Sequence, residues 1–201
     1  MRQRLLYSLL IVAMLVPWAP ALPQTANSTQ QAVSRPNSPK PYAPDERLLL
    51  ASARQGNASA QFWLGTGYEQ GWFGTPDFRN ALKWLRRSAE KGDADAQNAL
   101  GQMYENGEGV TQNYTIAAKW YKKAAEHYPD LGGAGHGRNN LGMLYLYGRG
   151  VRRDYVQAYM WFRLTNFEPN LSLAKAHMTP EQILEAERFA AEWKSQHSTP
   201  E

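Results

Sequence analysis

The feature that most constrains this chain is a motif, Leu-Gly-x-x-Tyr-x-x-Gly, that occurs three times, beginning at Leu64, Leu100 and Leu141. The copies are therefore 36 and then 41 residues apart. Each copy is followed by an Asp or Asn, an aromatic residue, an Ala and a Trp. Self-similarity at this period indicates stacked helical hairpins, because one hairpin alone cannot bury its apolar face.

Each copy predicts two helices joined by a turn. In the middle copy, Ala96, Leu100 and Met103 recur at helical spacing, and the glycines that begin at Gly107 end the pattern. Asn113 then offers a cap for a second helix. We expect the repeated tryptophans to be buried and the Gly after each Leu to let helices approach closely. These residues are Trp84, Trp120, Trp161, Gly65, Gly101 and Gly142.

The middle copy, from Ala94 to Ala125, reads Ala-x-Ala-Gln-x-x-Leu-Gly-x-x-Tyr-x-x-Gly-x-Gly-Val-x-x-Asn-Tyr-x-x-Ala-x-x-Trp-Tyr-x-x-Ala-Ala. This pattern resembles the Sel-one-like (Sel1-like) repeat, a relative of the tetratricopeptide repeat, and the resemblance covers about residues 45 to 166. It implies an all-α, right-handed α-solenoid of about three helical hairpins, with an N-terminal half-repeat and a C-terminal capping helix. It also implies a protein-interaction scaffold, usually without catalysis.

The N-terminus predicts export. Arg2 and Arg4 precede an apolar run of 12 residues, Leu5 to Val16, and small residues allow cleavage after Ala21. The run is shorter than the roughly 20 residues of a spanning helix, although a retained anchor stays an alternative. The expected organisation is a signal peptide 1–21, a Pro-rich disordered linker 22–44, an N-terminal capping helix 45–56, repeat 1 over 57–92, repeat 2 over 93–128, repeat 3 with a loop insertion over 129–169, and a C-terminal capping helix 170–195.

Charge and composition exclude several function classes. The net charge of +4 includes Arg2 and Arg4, so the cleaved chain would be nearly neutral, which argues against a nucleic-acid partner. Basic residues do cluster in the predicted second helices. They form either a surface for an acidic partner or an anionic membrane, or an ordinary solvated face, and we favour the solvated face. The chain has no Cys, which excludes disulfides, a thiol nucleophile and a lipid-modified Cys.

Motifs for catalysis or metal binding are absent from the sequence. The four histidines lack metal-ligand spacing, and no Gly-x-Ser-x-Gly occurs, so we expect no catalytic, cofactor or metal site. One local oddity is the Gly-rich stretch 132–138, which precedes a helix start. Its backbone N–H groups, with His136 and Arg138, would suit an anion, but a flexible connection between repeats is the favoured interpretation.

Function is therefore sought on the first helices, which line the concave face in this family. Their non-consensus positions are free to suit a partner. The predicted partner contacts are Phe62, Thr66, Glu69, Gln70, Asn98, Gln102, Glu105, Asn139, Met143, Leu146 and Tyr147. Trp63, Ala99, Asn106 and Asn140 vary in the same way, and the first turn carries two aromatics beyond the consensus, Trp72 and Phe73. Leu146 and Tyr147 are expected to open onto the groove, where a partner would cover them.

Two functional classes remain. The first is a monomeric, non-catalytic periplasmic or secreted scaffold that binds a protein partner, such as a regulator, a virulence-related factor or a toxin-immunity protein. The alternative is a protein that binds or hydrolyses cell-wall fragments or β-lactams, because some secreted relatives with this repeat have that activity. Those relatives are rich in Cys and this chain has none.

Overall fold

The computed structural model describes residues 45–127 and 132–197, so the predicted signal peptide and linker lie outside the described residues. Within these ranges every regular element is a helix, which confirms the all-α solenoid. The helices are α1 (Glu46–Arg54), α2 (Ala58–Glu69), α3 (Phe78–Glu90), α4 (Ala94–Asn106), α5 (Tyr114–Ala125), α6 (Gly133–Tyr147), α7 (Tyr155–Thr165), α8 (Glu168–Lys175) and α9 (Pro180–His197). None of the helices in this part of the chain is long and apolar enough to cross a membrane.

The second helix of each unit begins where the repeated Asp or Asn was expected to cap it. The side chains of Asp77, Asn113 and Asp154 accept hydrogen bonds from backbone N–H groups in the first turns of α3, α5 and α7. Asn57 and Asp93 cap the first helices α2 and α4 in the same way. Each such cap stabilises its helix by about 0.5–2 kcal/mol, and together they define the helical hairpins that the motif predicted.

The Gly after each repeated Leu sets the distance between the two helices of a unit. In the middle unit, a Cβ on Gly101 would lie 2.5 Å from the ring of Tyr121, closer than real side chains approach. The corresponding pairs in the other units are Gly65 with Leu85 and Gly142 with Phe162. This close approach offsets the roughly 1 kcal/mol that a helical Gly costs relative to Ala.

Two of the three repeated tryptophans are buried, and the third is not. Trp84 and Trp161 lie in the interior, whereas Trp120 is half-buried, with the Nζ of Lys123 4.4 Å from its ring centroid. The expectation that Trp120 is fully buried is therefore corrected. Its neighbour Tyr121 fills the interior of the middle unit instead.

Helices beyond the three units cover both ends of the core. The expected N-terminal capping helix is α1, which packs on α2 and buries Ala53. The closing segment differs from the single helix expected over 170–195, because α8 and α9 both pack on α7. Thr179 and Gln182 exchange side-chain to backbone hydrogen bonds, and Pro180 occupies the first helical position. This capping arrangement begins a new helix there.

Candidate partner-binding face

The first helices α2, α4 and α6 carry the predicted contacts, and eight of the eleven are accessible to solvent. We call the accessible set, together with Trp63, the first-helix face. Its exposed members are Trp63, Gln70, Gln102 and Tyr147, and its half-buried members are Phe62, Glu69, Glu105, Asn139 and Met143.

Thr66 and Asn98, two predicted contacts, are buried instead. The Oδ1 of Asn98 accepts a hydrogen bond of 2.9 Å from the Nδ2 of Asn140 in the next unit. The Nδ2 of Asn170 on α8 donates to the Oδ1 of Asn139 in an equivalent way. Asparagine amides thus connect α4 to α6 and α6 to α8. Because Asn98 and Thr66 are buried, both are corrected from partner contacts to interior positions.

Leu146 is also buried, contrary to the expectation that it opens onto a groove. It is 5% exposed and belongs to a core cluster with Phe162, against which Ile183 of α9 packs. Because an aromatic ring and the closing helix surround it, an apolar residue suits this position. Tyr147, the next residue, is exposed as predicted, and the guanidinium of Arg149 lies 5.3 Å from its ring centroid.

The repeat position of Leu146 is occupied by carboxylates in the other two units. In the middle unit, the hydroxyl of Tyr121 donates a 2.6 Å hydrogen bond to Glu105, and burial together with this bond raises the pKa of Tyr121. In the first unit, Leu85 stands at the position of Tyr121, so Glu69 has no hydroxyl to accept from. Among the described residues, no donor or cation contacts the Glu69 carboxylate. Burial, and then the nearby Glu108 carboxylate, raise the pKa of Glu69.

Arg138 does not face an anion site. It is 1% exposed, its Nε donates a 3.0 Å hydrogen bond to the Ala125 carbonyl, and its Nη2 donates to the His127 carbonyl. Its guanidinium lies 4.6 Å from the ring centroid of Trp193. His136 is exposed, whereas the Arg138 guanidinium is buried and bonds to backbone carbonyls. The prediction of an anion site formed by these two side chains is therefore wrong.

The repeat explains the position of Arg138. Gln61 and Gln97 also lie three residues before the repeated Leu, and their side-chain amides donate to the Ala53 and Ala89 carbonyls. Arg138 is therefore the residue of the third unit that takes over this hydrogen bond to the preceding helix. The spacing of three residues before the repeated Leu is the sequence signal for this role, and the predicted anion site overlooked it.

Aromatic side chains gather at the first unit. Trp63 of α2 stacks on Trp72 of the following turn, with ring centroids 6.2 Å apart and an interplanar angle of 25°. The indole N–H of Trp72 donates a 3.0 Å hydrogen bond to Gln70, and Trp63 is 47% exposed. Gly67 makes room for this arrangement, since a Cβ there would overlap the ring of Phe73. The non-consensus turn thus adds two stacked indoles to the first-helix face, of which Trp63 is exposed and Trp72 is half-buried.

A separate cleft of about 260 Å³ lies between α7, α8 and α9. The Arg163 guanidinium lies 2.8 Å from the Glu187 carboxylate, to which the Tyr159 hydroxyl also donates at 2.9 Å. Burial and this hydrogen bond raise the pKa of Tyr159 to about 12. These groups satisfy one another and fasten α9 to α7. Over residues 45–127 and 132–197, no three His, Asp or Glu side chains are grouped to hold a metal ion.

Comparisons with known proteins agree with this architecture. The family model of the Sel1 repeat matches residues 58–93, 94–128 and 136–165. One similar solved structure is a protective antigen present in uropathogenic Escherichia coli strains that displays an SLR fold. It is 33% identical with a TM-score of 0.59, and the match covers 77% of this chain and 34% of that one. No curated protein matches the chain.

A second similar structure is a Sel1 repeat protein from Oxalobacter formigenes. It is 25% identical with a TM-score of 0.58, and the match covers 75% of this chain and 63% of that chain. The chain therefore spans less than two thirds of the length of either structural relative.

Proposed function

Because the chain belongs to the Sel1 repeat family, we propose that it is a non-catalytic scaffold whose first-helix face binds a protein partner. Sel1 repeats generally mediate protein–protein interactions, and the SLR fold is typically a non-catalytic repeat scaffold. A helical repeat suits this role because each added unit extends one continuous surface.

The observation that carries the proposal is the contrast between framework and face. Framework positions repeat the same residue type in each unit, whereas an exposed position of the face changes from an amide in the first two units to an aromatic ring in the third. Gln70, Asn106 and Tyr147 occupy one such position, and all three are exposed. Each of the three contacts the residue two positions later in its own turn, and the solvent-exposed part of each side chain still offers a partner a different surface in each unit. Exposed aromatics such as Trp63 and Tyr147 are typical interface anchors.

A photoreactive residue placed on the face tests the proposal. Incorporated at Gln102 in the full chain, it is expected to crosslink to a discrete protein in a bacterial envelope extract. The matched control carries the same residue at Lys119, which is exposed on the second helix α5. Crosslinking from position 119 and not from 102 would assign binding to the opposite surface. Turnover of a β-lactam or muropeptide by the purified chain would support the alternative function instead.

The proposed location is the periplasm or the outside of the cell, after removal of residues 1–21. The order of basic, apolar and small residues at the N-terminus supports it, as does the relative described as a protective antigen. A regulator, a virulence-related factor or a toxin-immunity protein would all fit this location. Intact-mass measurement of periplasmic protein is expected to give a chain that begins at Leu22. Retention of residues 1–21 in the membrane fraction would indicate an anchored protein.

A further inference from the structure

We propose that a cleft between α1, α2 and α3 binds a phosphate-type anion that also carries an O–H donor, either free hydrogen phosphate or a sugar phosphate. This α1–α3 cleft has a volume of about 300 Å³ and is lined by Ala53, Arg54, Gln61, Arg87, Glu90 and Lys91. Its charged residues lie at the ends of α1 and α3 rather than on the first-helix face. The inference therefore goes beyond the proposed function and does not depend on it.

The charges that line the cleft are mostly positive. Three of the lining residues are cations, and Glu90 is the one carboxylate among them. The Arg87 guanidinium lies 4.8 Å from the ring centroid of Trp84, and the Lys91 ammonium donates to the Gly56 carbonyl. Within the described ranges, none of the three cations forms an ion pair with a carboxylate. Because a cleft concentrates the field of its charges, this excess of cations attracts an anion.

Gln61 adds a hydrogen-bond acceptor that the chain does not use. The residue is 3% exposed, and its Nε2 donates a 2.9 Å hydrogen bond to the Ala53 carbonyl. Its Oε1 is buried and has no donor among the residues that the structure describes. A buried acceptor without a donor is unfavourable, so a ligand hydroxyl that donates to this atom would gain affinity from it.

The second unit shows how the chain satisfies the same acceptor elsewhere. Gln97 takes the place of Gln61 there, and its Oε1 lies 3.1 Å from the Nε2 of His127. In the first unit Lys91 holds the repeat position of His127, but its ammonium donates to the Gly56 carbonyl instead. The first unit therefore lacks the donor that the second unit supplies.

The cations are also particular to the first unit. The residues 36 positions after Arg54, Arg87 and Lys91 are Glu90, Lys123 and His127. Cations near the C-terminal ends of helices are favourable in general, but the second unit packs the same helix ends without this set. Neither the fold nor the helix dipoles thus require three cations around the first cleft.

Hydrogen phosphate combines the two properties that the cleft calls for. Its charged oxygens suit Arg and Lys side chains, which bind phosphate through charge-assisted hydrogen bonds. Its remaining O–H can donate to the Oε1 of Gln61. Sulfate has the same tetrahedral shape and, above neutral pH, the same charge, but it carries no proton. The difference in affinity between these two ions therefore measures the contribution of the unused acceptor.

The test follows the backbone amide signals of the ¹⁵N-labelled full chain above neutral pH and at constant ionic strength. Inorganic phosphate is expected to shift the signals of Gly56, Gln61 and Lys91 saturably, with a Kd on the order of millimolar. Sulfate is expected to bind at least about tenfold more weakly, because it leaves the Gln61 acceptor without a donor. Equal affinities for the two ions would overturn the proposal, and so would shifts that do not saturate.

Glucose 1-phosphate distinguishes the two sources of the anion. Its phosphate group has no proton above neutral pH, but a neighbouring sugar hydroxyl can donate in its place. Tighter binding of glucose 1-phosphate than of inorganic phosphate would support a sugar phosphate as the ligand. Weaker binding would support free hydrogen phosphate.

Charge-reversing variants localise the site. Arg54→Glu introduces the residue type that the second unit has at this position, so the fold should tolerate it. It is expected to weaken phosphate binding about tenfold or more. Lys119→Glu makes the same change of charge on the exposed side of α5 and should leave the affinity unchanged. Equal losses in both variants would reduce the effect to net charge and overturn the proposal.

Gln61→Leu removes the acceptor and is expected to lower the affinity for phosphate to that for sulfate. A folded variant that still prefers phosphate would overturn the role of Gln61 and with it the proposal. Because the substitution also removes the hydrogen bond to Ala53, thermal unfolding of the variant is measured first. If the variant does not fold, the comparison of phosphate with sulfate in the wild-type chain decides the question.

Discussion

At the scale of single residues, one repeat position takes the side chain that suits whatever faces it in its own unit. Glu105 lies opposite the Tyr121 hydroxyl, whereas Leu146 lies against Phe162. The facing residue is 16 positions later, on the other helix of the hairpin. Whether the side chain at this position is exposed therefore depends on the residue that faces it. The sequence of α6 alone predicted an exposed Leu146, because that prediction left out the facing residue Phe162.

Glu69→Gln should stabilise the chain in a pH-dependent way. Because folding raises the pKa of Glu69, its ionised form destabilises the fold above that pKa, and this destabilisation vanishes below the ordinary Glu range. The variant should therefore have a higher free energy of unfolding than wild type near pH 7, and the gain should shrink toward about pH 4. Chemical denaturation at both pH values measures it, with Glu192→Gln as the control. A gain independent of pH would contradict this assignment.

Arg138 tests the repeat register. Arg138→Ala leaves the Ala125 and His127 carbonyls without their donor and should destabilise by about 2–4 kcal/mol. Arg138→Gln introduces the side chain with which the other two units donate to the carbonyl of the preceding helix. This variant should therefore lose clearly less free energy of unfolding than Arg138→Ala. Chemical denaturation of both variants provides the comparison. Equal losses would mean that Arg138 does not replace the repeat glutamine.

At the scale of helices, the motif predicted the hairpins because their caps and close contacts are local and recur. Asn113 caps α5 as expected, and Gly101 brings α4 and α5 together. The break between α8 and α9 escaped prediction because it depends on one capping arrangement outside the repeat, at Thr179. Trp120 escaped because its neighbour Tyr121, rather than the repeated Trp, fills that layer.

Gly101→Ala tests the packing of α4 on α5. In an isolated helix this change would stabilise by about 1 kcal/mol, but here the new Cβ meets the Tyr121 ring at 2.5 Å. We expect a net destabilisation of about 1–3 kcal/mol, as overpacking usually causes. The exposed neighbour provides the control, since Gln102→Ala should change stability by less than about 0.5 kcal/mol. A more stable Gly101→Ala variant would show that the helices can move apart at little cost.

At the scale of the whole molecule, a repeated sequence predicts architecture better than it predicts a binding site. Stacking requires the same contacts in every unit, so the pattern appears three times in the sequence. A residue that serves a partner has no such requirement, and Trp63 and Trp72, for example, occur in the first unit only. Eight predicted face residues are accessible to solvent, whereas Asn98 is buried where it contacts Asn140 of the next unit and Leu146 is buried where it packs with Phe162.

The most direct test of the account is the affinity of the crosslinked partner, once purified, for matched variants of the full chain. Trp63→Ala with Tyr147→Ala removes the exposed aromatic anchors and should weaken binding by about tenfold or more, with melting nearly unchanged. Lys119→Glu with Lys123→Glu alters the second helix α5 and should bind like wild type. Wild-type affinity in the first variant, together with weakened binding in the second, would contradict a partner-binding first-helix face.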